Sequence, residues 1–367
     1  MKIQEIEMIP VRIPFKKLFR TSHSARTHQE SVIVKVHTDE RIVGIGNVDP
    51  SPGYSAESVS EIKKVLENHL IRVVVGRDPF TISMIVDSMD KAISGYYHSK
   101  ALIEMALYDI VGKALYVPIY TLFGGPRIDK IPVIGWIMIG SVEENVEEAK
   151  DWVSQGFTTL KVKIGKGIQE DIDRVAAIRA ALGDKIDIRI DANEAYSPEE
   201  AISLLTGLEK YRIAYCEQPI ARSNLDGFYK IREAVDIPIT SDEGILTPQD
   251  IINVVNKRAT DFIRVKVMKN GGIYKTMSMI NLAEAFGIRC IIGHGFGLTI
   301  NALSEIHVAT ASKNIFYPSD MVGPLKMKDD VVTERLQIKD GCIAIPQKAG
   351  LGATIDDEKL NQYKIKI

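Results

Sequence analysis

Five apolar runs in the 367-residue chain each end in charged residues, and their spacing restricts the fold more than any other feature. They are TLKVKIG with Lys161 and Lys163, IDIRIDAN with Asp191, RIAYCEQP with Glu217, IPITSDE with Asp242, and FIRVKVMKNGG with Lys266. From Lys161 the charges advance in steps of 30, 26, 25 and 24 residues. Each step holds one strand, one helix and two short loops, so the segment reads as a repeated βα unit. Such units close into a parallel barrel whose catalytic groups collect at the C-terminal rim of the strands. Continuing at the same pitch gives His294 and then Asp320, and Trp136 in IPVIGWIMIG supplies the first of eight rim positions.

The remainder is organised differently. Residues 1–50 read as an antiparallel meander: VRIPF, a polar loop KKLFRTSHSARTHQE, then two alternating runs in SVIVKVHTDERIVGIGNV. From Ser55 the spacing turns helical through three segments ending near Leu115, with Ser55 or Ser58 and Thr81 as N-terminal caps. The expected class is α/β, a TIM-type (β/α) barrel over residues 128–335 preceded by an α+β domain over 1–127. Residues 336–367, with a hairpin turn at Asp340-Gly341, are expected to return to the first domain.

Composition narrows the partners. With 45% hydrophobic and 26% charged residues and a formal net charge of −2, the chain offers no basic face for nucleic acid or an anionic membrane. A small molecule is the expected partner. The first residues lack an apolar signal core and no run approaches a spanning length, so a cytoplasmic protein is expected. Cys216, Cys290 and Cys342, odd in number and far apart, fit reduced thiols, with Cys216 packed in the core.

Asp191, Glu217 and Asp242 supply three hard oxygen ligands with no His or Cys pair nearby, a set that suits Mg²⁺, with Mn²⁺ as a substitute ion. Lys161 and Lys163, two apart on one strand, both point into the barrel, and their mutual repulsion lowers at least one pKa. Lys266 faces them from four strands round. A substrate carboxylate on the metal then lies between two bases, and the metal stabilises the enediolate left when either removes the adjacent proton. Taken singly, an aspartate at a strand end reads as a cap and a lone lysine as a solvated charge. Buried charges at the ends of consecutive strands need a shared partner, and a metal with a bound anion is the simplest. Lys161 reads equally well as a supporting charge.

These motifs resemble the enolase superfamily in its muconate-lactonizing-enzyme subgroup. They are Lys-x-Lys at Lys161 and Lys163, Asp-x-Asn at Asp191 and Asn193, Glu-Gln-Pro at Glu217, Asp-Glu at Asp242 and Glu243, and Lys-x-x-Lys-x-Gly-Gly from Lys266. The segment SKALIEMALYDIVGKALYVPIYTLFGG is similar to the family's N-terminal capping domain. The resemblance implies a modified barrel whose cap is completed by the C-terminal tail, Mg²⁺ on Asp191, Glu217 and Asp242, an acid/base pair of Lys163 and Lys266, and Lys161 in support. The related mandelate racemase subgroup carries a His-Asp dyad. Here Lys266 stands on strand six, so His294 lacks that aspartate and reads as a substrate contact or a packed histidine.

Two cap loops, around residues 20–28 and 50–55, would cover the substrate, with Arg26 and Tyr54 setting specificity and Trp136 and Asn193 as further contacts. Tyr317 and Asp320 on strand eight are candidates for holding a cationic group. The Asp-x-Asp of the family's dipeptide epimerases is broken there by Pro318-Ser319-Asp320-Met321-Val322. The expected reaction is racemisation or epimerisation at the α-carbon of a small amino-acid-derived carboxylate, in a homo-oligomer of two to eight chains. The alternatives are a muconate-type cycloisomerase, a β-elimination dehydratase or an o-succinylbenzoate-synthase-like lyase. From another class come a Schiff-base aldolase using Lys266, with a phosphate at residues 293–297, and a non-catalytic barrel.

Overall fold

A computed structural model describes residues 1–20, 25–51, 54–294 and 296–367. The chain begins with an antiparallel sheet of β1 (Ile3–Arg20), β2 (Ala25–Thr38) and β3 (Val43–Val48), in that order. β1 and β2 stay paired from Ile3 and Thr38 out to Arg20 and Ala25, with an irregularity between Pro14 and Phe19. Most of the segment expected to be a polar loop is therefore strand, and residues 21–24 of it lie outside the described residues. The outer half of this ribbon covers little core, so its sequence carries no clean alternation to read.

Helices α1 (Val59–Val65) and α2 (Ile71–Val74) run on through a π-helical turn at Leu66–Leu70, followed by α3 (Ile82–Ala92) and α4 (Tyr97–Ala114). Ser58, not Ser55, caps α1 in a reciprocal bond with Glu61, whereas Thr81 precedes α3 without a side-chain cap bond. α4 is buried along nearly all its length and lies directly on β3, because a Cβ at Gly44 or Gly46 would strike the carbonyl oxygens of Ala106 or Leu102.

After β4 (Lys130–Pro132) the βα repeat begins with β5 (Gly135–Ile137) and α5 (Val142–Ser154), β6 (Thr159–Lys163) and α6 (Ile168–Leu182), and β7 (Asp187–Asp191) and α7 (Pro198–Leu208). It continues with β8 (Ile213–Glu217) and α8 (Leu225–Ala234), β9 (Ile239–Ser241) and α9 (Pro248–Asn256), β10 (Phe262–Val265) and α10 (Ile273–Ala285), and β11 (Arg289–Ile292) and α11 (Thr299–Ala311). Ser141, Ser197 and Thr247 each open a helix in a capping box, and Gly183 closes α6. The seven strands β5 to β11 form one parallel sheet in chain order.

The eighth strand differs from expectation. Residues 314–320 close the barrel through single bridges, Ile315 to Cys290 and Ser319 to Val133, with Asp320 N–H donating to Ile292 O at 3.2 Å. Pro318 has no N–H to offer a regular ladder, so the segment closes the barrel without forming a full strand. The result is a modified (β/α) barrel with an N-terminal cap.

The chain then passes through α12 (Gly323–Lys326) to β12 (Cys342–Ala344) and α13 (Asp357–Tyr363). Asp340 and Gly341, both at positive φ (50° and 66°), form the expected two-residue hairpin turn, across which Lys339 and Cys342 exchange both backbone hydrogen bonds at 2.9 Å, and β12 then pairs with β4. Lys364 bridges Val11 of the cap, and Ile365 N–H donates to Pro10 O at 2.9 Å. Cys216 and Cys290 are buried thiols and Cys342 is half-buried. Among the described residues no helix is long and apolar enough to cross a membrane.

Candidate active site

The barrel register sets the site. Lys163 pairs with Asp191 and Asp191 with Glu217 on neighbouring strands, Asp242 follows the end of β9, and Lys266 follows the end of β10. Since alternate residues of a barrel strand face inward, the positions two earlier form a deeper layer, where Lys161 pairs with Arg189. Arg264 stands two residues before Lys266 in that layer, and both arginines are completely buried.

Ion pairs connect the layers. Lys163 Nζ donates to Asp191 Oδ2 at 2.6 Å and Asn193 Oδ1 at 2.5 Å. Lys161 Nζ lies 2.8 Å from Glu217 Oε1, 2.9 Å from Asp191 Oδ2 and 3.1 Å from Asp320 Oδ2. Arg264 reaches Glu217 Oε2 at 2.6 Å and Asp320 Oδ2 at 2.8 Å. On the far side Lys266 Nζ donates to Asp242 Oδ2 at 2.6 Å and to the Tyr54 hydroxyl at 2.5 Å, and Lys269 Nζ donates to Asp242 Oδ1 at 2.8 Å.

These contacts separate the two lysines of β6. Burial lowers the pKa of Lys163 from the usual lysine value and Lys161 adds to the shift, outweighing Asp191. Burial and Arg264 also press on Lys161, but Asp191, Asp320 and Glu217 together hold it well above its ordinary value. The expected repulsion is thus present, and it falls on Lys163. Burial raises the carboxyl of Glu217, with Asp191 and Asp242 adding to the rise against Arg264 and Lys161.

Among the residues expected at the site, all except Arg26 and Tyr317 line one cavity of about 40 Å³. Tyr54 enters it from the cap, and Phe19 and Phe296 wall it. Arg26 stands behind those walls, its guanidinium 5.3 Å from the Phe19 ring centre and 5.6 Å from that of Phe296. Tyr317 is turned away because its hydroxyl donates to Ala309 O at 2.9 Å. Asp320 lines the cavity with its Oδ2 held between Lys161 and Arg264, while its buried Oδ1 makes no hydrogen bond among the described residues. The neighbouring residues 52 and 53, and Gly295 of the loop considered for a phosphate, lie outside the described residues.

His294 is buried at the cavity wall with acidic neighbours that its strand does not supply. Its Nδ1 is 3.1 Å from Glu305 Oε2, its Nε2 is 3.1 Å from Asn301 Nδ2, and Asp49 Oδ2 of the cap is 3.7 Å from Nε2. Two carboxylates from other elements stand where strand six supplies none. They raise the imidazole to about 9 although burial acts to lower it.

The donor chemistry of Asp191, Glu217 and Asp242 fits a hard divalent cation: all are carboxylate oxygens, and Glu217 feels the charge of both neighbours. Among the described residues no three such groups gather tightly enough to enclose an ion. Lys161 instead bridges Asp191 to Glu217, and Lys266 and Lys269 hold Asp242. Metal binding would therefore require ammonium groups to give way.

Arg189 and Arg264 do not figure among the residues expected from the sequence. Both have a readable signal, since each stands two residues before a selected charge, as Lys161 stands before Lys163. Asp49, Asn301 and Glu305 have none, being brought to His294 only by the packing of the cap on α11.

Residues 3–124 match the family model for the mandelate racemase / muconate lactonizing enzyme N-terminal domain, and residues 144–359 match the enolase C-terminal domain-like model. An N-succinyl-L-Arg/Lys racemase of Bacillus cereus is 31% identical over 366 residues, 100% of this chain and 98% of that protein. Its crystal structure superposes with a TM-score of 0.97, covering 100% and 99% of the two chains. A chloromuconate cycloisomerase of Cupriavidus pinatubonensis is 30% identical over 357 residues, 96% of each. The structure of an Enterococcus faecalis dipeptide epimerase complexed with Mg and L-Leu-L-Tyr has a TM-score of 0.92 at 31% identity, covering 96% and 99%. With both domain models matched and isomerases aligned from end to end, the chain belongs to the mandelate racemase/muconate lactonizing enzyme family of the enolase superfamily.

Proposed function

We propose that the protein is a Mg²⁺-dependent racemase or epimerase acting at the α-carbon of an N-acylated amino-acid carboxylate. The observation that carries this reading is the placement of Lys163 and Lys266. They come from strands four places apart, end in one enclosed cavity, and are each held by a different carboxylate, Asp191 and Asp242. Two bases on opposed sides are what inversion of a carbon centre needs. A cytoplasmic homo-oligomer accompanies this reading.

Asp191, Glu217 and Asp242 would hold the Mg²⁺, with Mn²⁺ as a substitute. Such a cation neutralises negative charge developing on a substrate carboxylate as the α-proton leaves. Lys163, lowered by burial, accepts that proton as a neutral amine from one face, and the C–H electron pair passes towards the carboxylate. Lys266 returns a proton from the other face with the Tyr54 hydroxyl fixing its ammonium, and the roles reverse for the other stereoisomer. Lys161, kept charged by three carboxylates, stabilises the electron-rich carboxylate without exchanging protons. Phe19, Trp136 and Phe296 exclude water.

The choice of an acylated nitrogen follows from Asp320. Its committed oxygen and the broken Asp-x-Asp leave no acidic pair for a free ammonium, and the name of the Bacillus cereus relative points the same way. The test is α-proton exchange in D₂O, followed by NMR, over a panel of N-acyl amino acids and dipeptides with Mg²⁺ and with excess chelator. Exchange with inversion that chelator abolishes is expected. Ring closure or loss of water in place of inversion would transfer the assignment to a cycloisomerase or a lyase.

A further inference from the structure

The reaction cavity of about 40 Å³ has room for little beyond a water or two and cannot take the side chain and acyl group of such a substrate. A second cavity of about 220 Å³ adjoins it across Phe19 and Trp136, which line both. Its walls are chiefly apolar, from Phe15 and Leu18 on the cap ribbon, Met138 and Trp152 on the barrel side, and Leu325 of α12. Into this apolar space comes Lys326. Its Nζ is buried, and among the described residues it makes no hydrogen bond. It lies 3.6 Å from the centre of the Trp136 ring, a ring also approached by Lys161 at 4.9 Å and Lys163 at 4.8 Å.

An ammonium left buried without an acceptor is costly, and burial accordingly pushes Lys326 well below the usual lysine value. Trp136 Nε1 is a second buried donor without an acceptor. Two orphan donors on the partition between the cavities call for an acceptor supplied from outside the chain. Of the acidic side chains here, Glu148 accepts Met138 N–H at 3.2 Å and acts on Lys326 only through its charge, without a hydrogen bond to it, and Asp151 is exposed. Lys16 and Lys17 at the rim leave the lining with one more positive than negative group.

We propose that the second cavity seats the tail of the substrate and that Lys326 binds a terminal carboxylate on that tail, making an N-acyl amino acid whose acyl chain ends in a carboxylate the preferred class. This rests on the racemase reading above and assigns to Lys326 the choice of tail, not the proton chemistry. A chain of about four carbons spans an apolar pocket of this size, and its charged end meets the lining amine that is both buried and without a hydrogen-bond partner among the described residues.

The test pairs N-succinyl amino acids with their N-butanoyl counterparts, equal in chain length and differing in the terminal charge. α-Proton exchange and calorimetric binding are measured for wild type, Lys326→Met and Lys326→Arg. Wild type should prefer the succinyl member. Lys326→Met should raise its KM and dissociation constant about tenfold or more, a change typical of removing one partner of a buried charge pair, while leaving kcat and the butanoyl series nearly unchanged. Lys326→Arg should restore much of the preference. Equal weakening of both series in Lys326→Met, or a succinyl preference that falls with Arg26→Met and survives Lys326→Met, would overturn the inference. If wild type exchanged no member of either series, the racemase reading would fall, and the calorimetric comparison would still decide whether Lys326 binds the anionic tail.

Discussion

Glu104, on the buried cap helix α4, accepts the backbone N–H of Ile273 at 2.7 Å, at the first turn of barrel helix α10. Its other oxygen accepts from Tyr274 at 2.6 Å. The carboxylate so caps a helix on the other domain, satisfying amides that have no partner within α10. The loop that starts at Lys266 ends at this clamp, and Asn270 ties back to Lys266 N–H at 2.8 Å. Cap packing and the placement of Lys266 are one structural fact.

Gly272 shows how tight the clamp is. Its φ is +118°, which favours glycine, and a Cβ there would enter the Glu104 carboxyl group. Gly272→Ala should lower stability by about 2–4 kcal/mol, through strain and overpacking together, and reduce kcat more than an equally destabilising change on the outer face of α8. Thermal unfolding and kinetics on purified variants check this. An unchanged melting temperature would show that the clamp opens freely.

His294 predicts a pH dependence. Glu305 and Asp49 raise it to about 9 against the opposing effect of burial, and Asn301 faces its other nitrogen. A raised folded-state value means that the stabilisation is complete below the ordinary 6.5 and is lost as pH rises through about 9. Its size is about 3 kcal/mol at most. His294→Gln should flatten the stability profile between those limits, measured by urea unfolding at a series of pH values. A variant whose profile keeps the wild-type slope would assign that slope to other groups.

The barrel was legible because its strands repeat at a nearly constant pitch and end in charges, a pattern that local chemistry imposes unit by unit. Reading only strand ends hid Arg189 and Arg264, although the period of two that placed Lys161 beside Lys163 would have found them. The outer strand segments, residues 15–20 and 25–28, were hidden for the opposite reason. They form a ribbon with little core beneath it, so no burial pattern marks them. Lys326 follows the last strand of the barrel sheet in a segment without periodicity, and it packs on Trp136, nearly two hundred residues earlier in the chain. No local signal reports such a contact.

The lysines clasped around the carboxylates predict how metal acts. Mg²⁺ should raise the melting temperature of wild type, because a ligand bound only by the folded state stabilises it by about 2.7 kcal/mol at one hundred times its dissociation constant. Asp242→Asn and Glu217→Gln should lose most of that increment together with activity, since each removes an anionic ligand. Excess chelator should return wild type to the metal-free melting temperature. Full turnover under those conditions would remove the metal from the mechanism.

The two lysines can be told apart by isotope exchange. If each serves one face, Lys163→Ala stops racemisation in both directions but leaves Lys266 able to exchange the α-proton of the stereoisomer it faces, and Lys266→Ala gives the mirror result. Tyr54 sharpens the test, because its hydroxyl contacts Lys266 and Asp242 and has no recorded contact with Lys163. Tyr54→Phe should therefore slow exchange of the Lys266-facing isomer by about tenfold to a hundredfold, the loss of one hydrogen bond to a charged group, while exchange of the other isomer stays near the wild-type rate. The measurement is deuterium incorporation by NMR for each stereoisomer with each variant, under matched buffer. Equal slowing of both isomers by Tyr54→Phe would mean that the hydroxyl shapes the whole cavity. Exchange of a single isomer by wild type would mean that one lysine does all the proton chemistry and the other acts only through its charge, as an elimination or a ring closure requires.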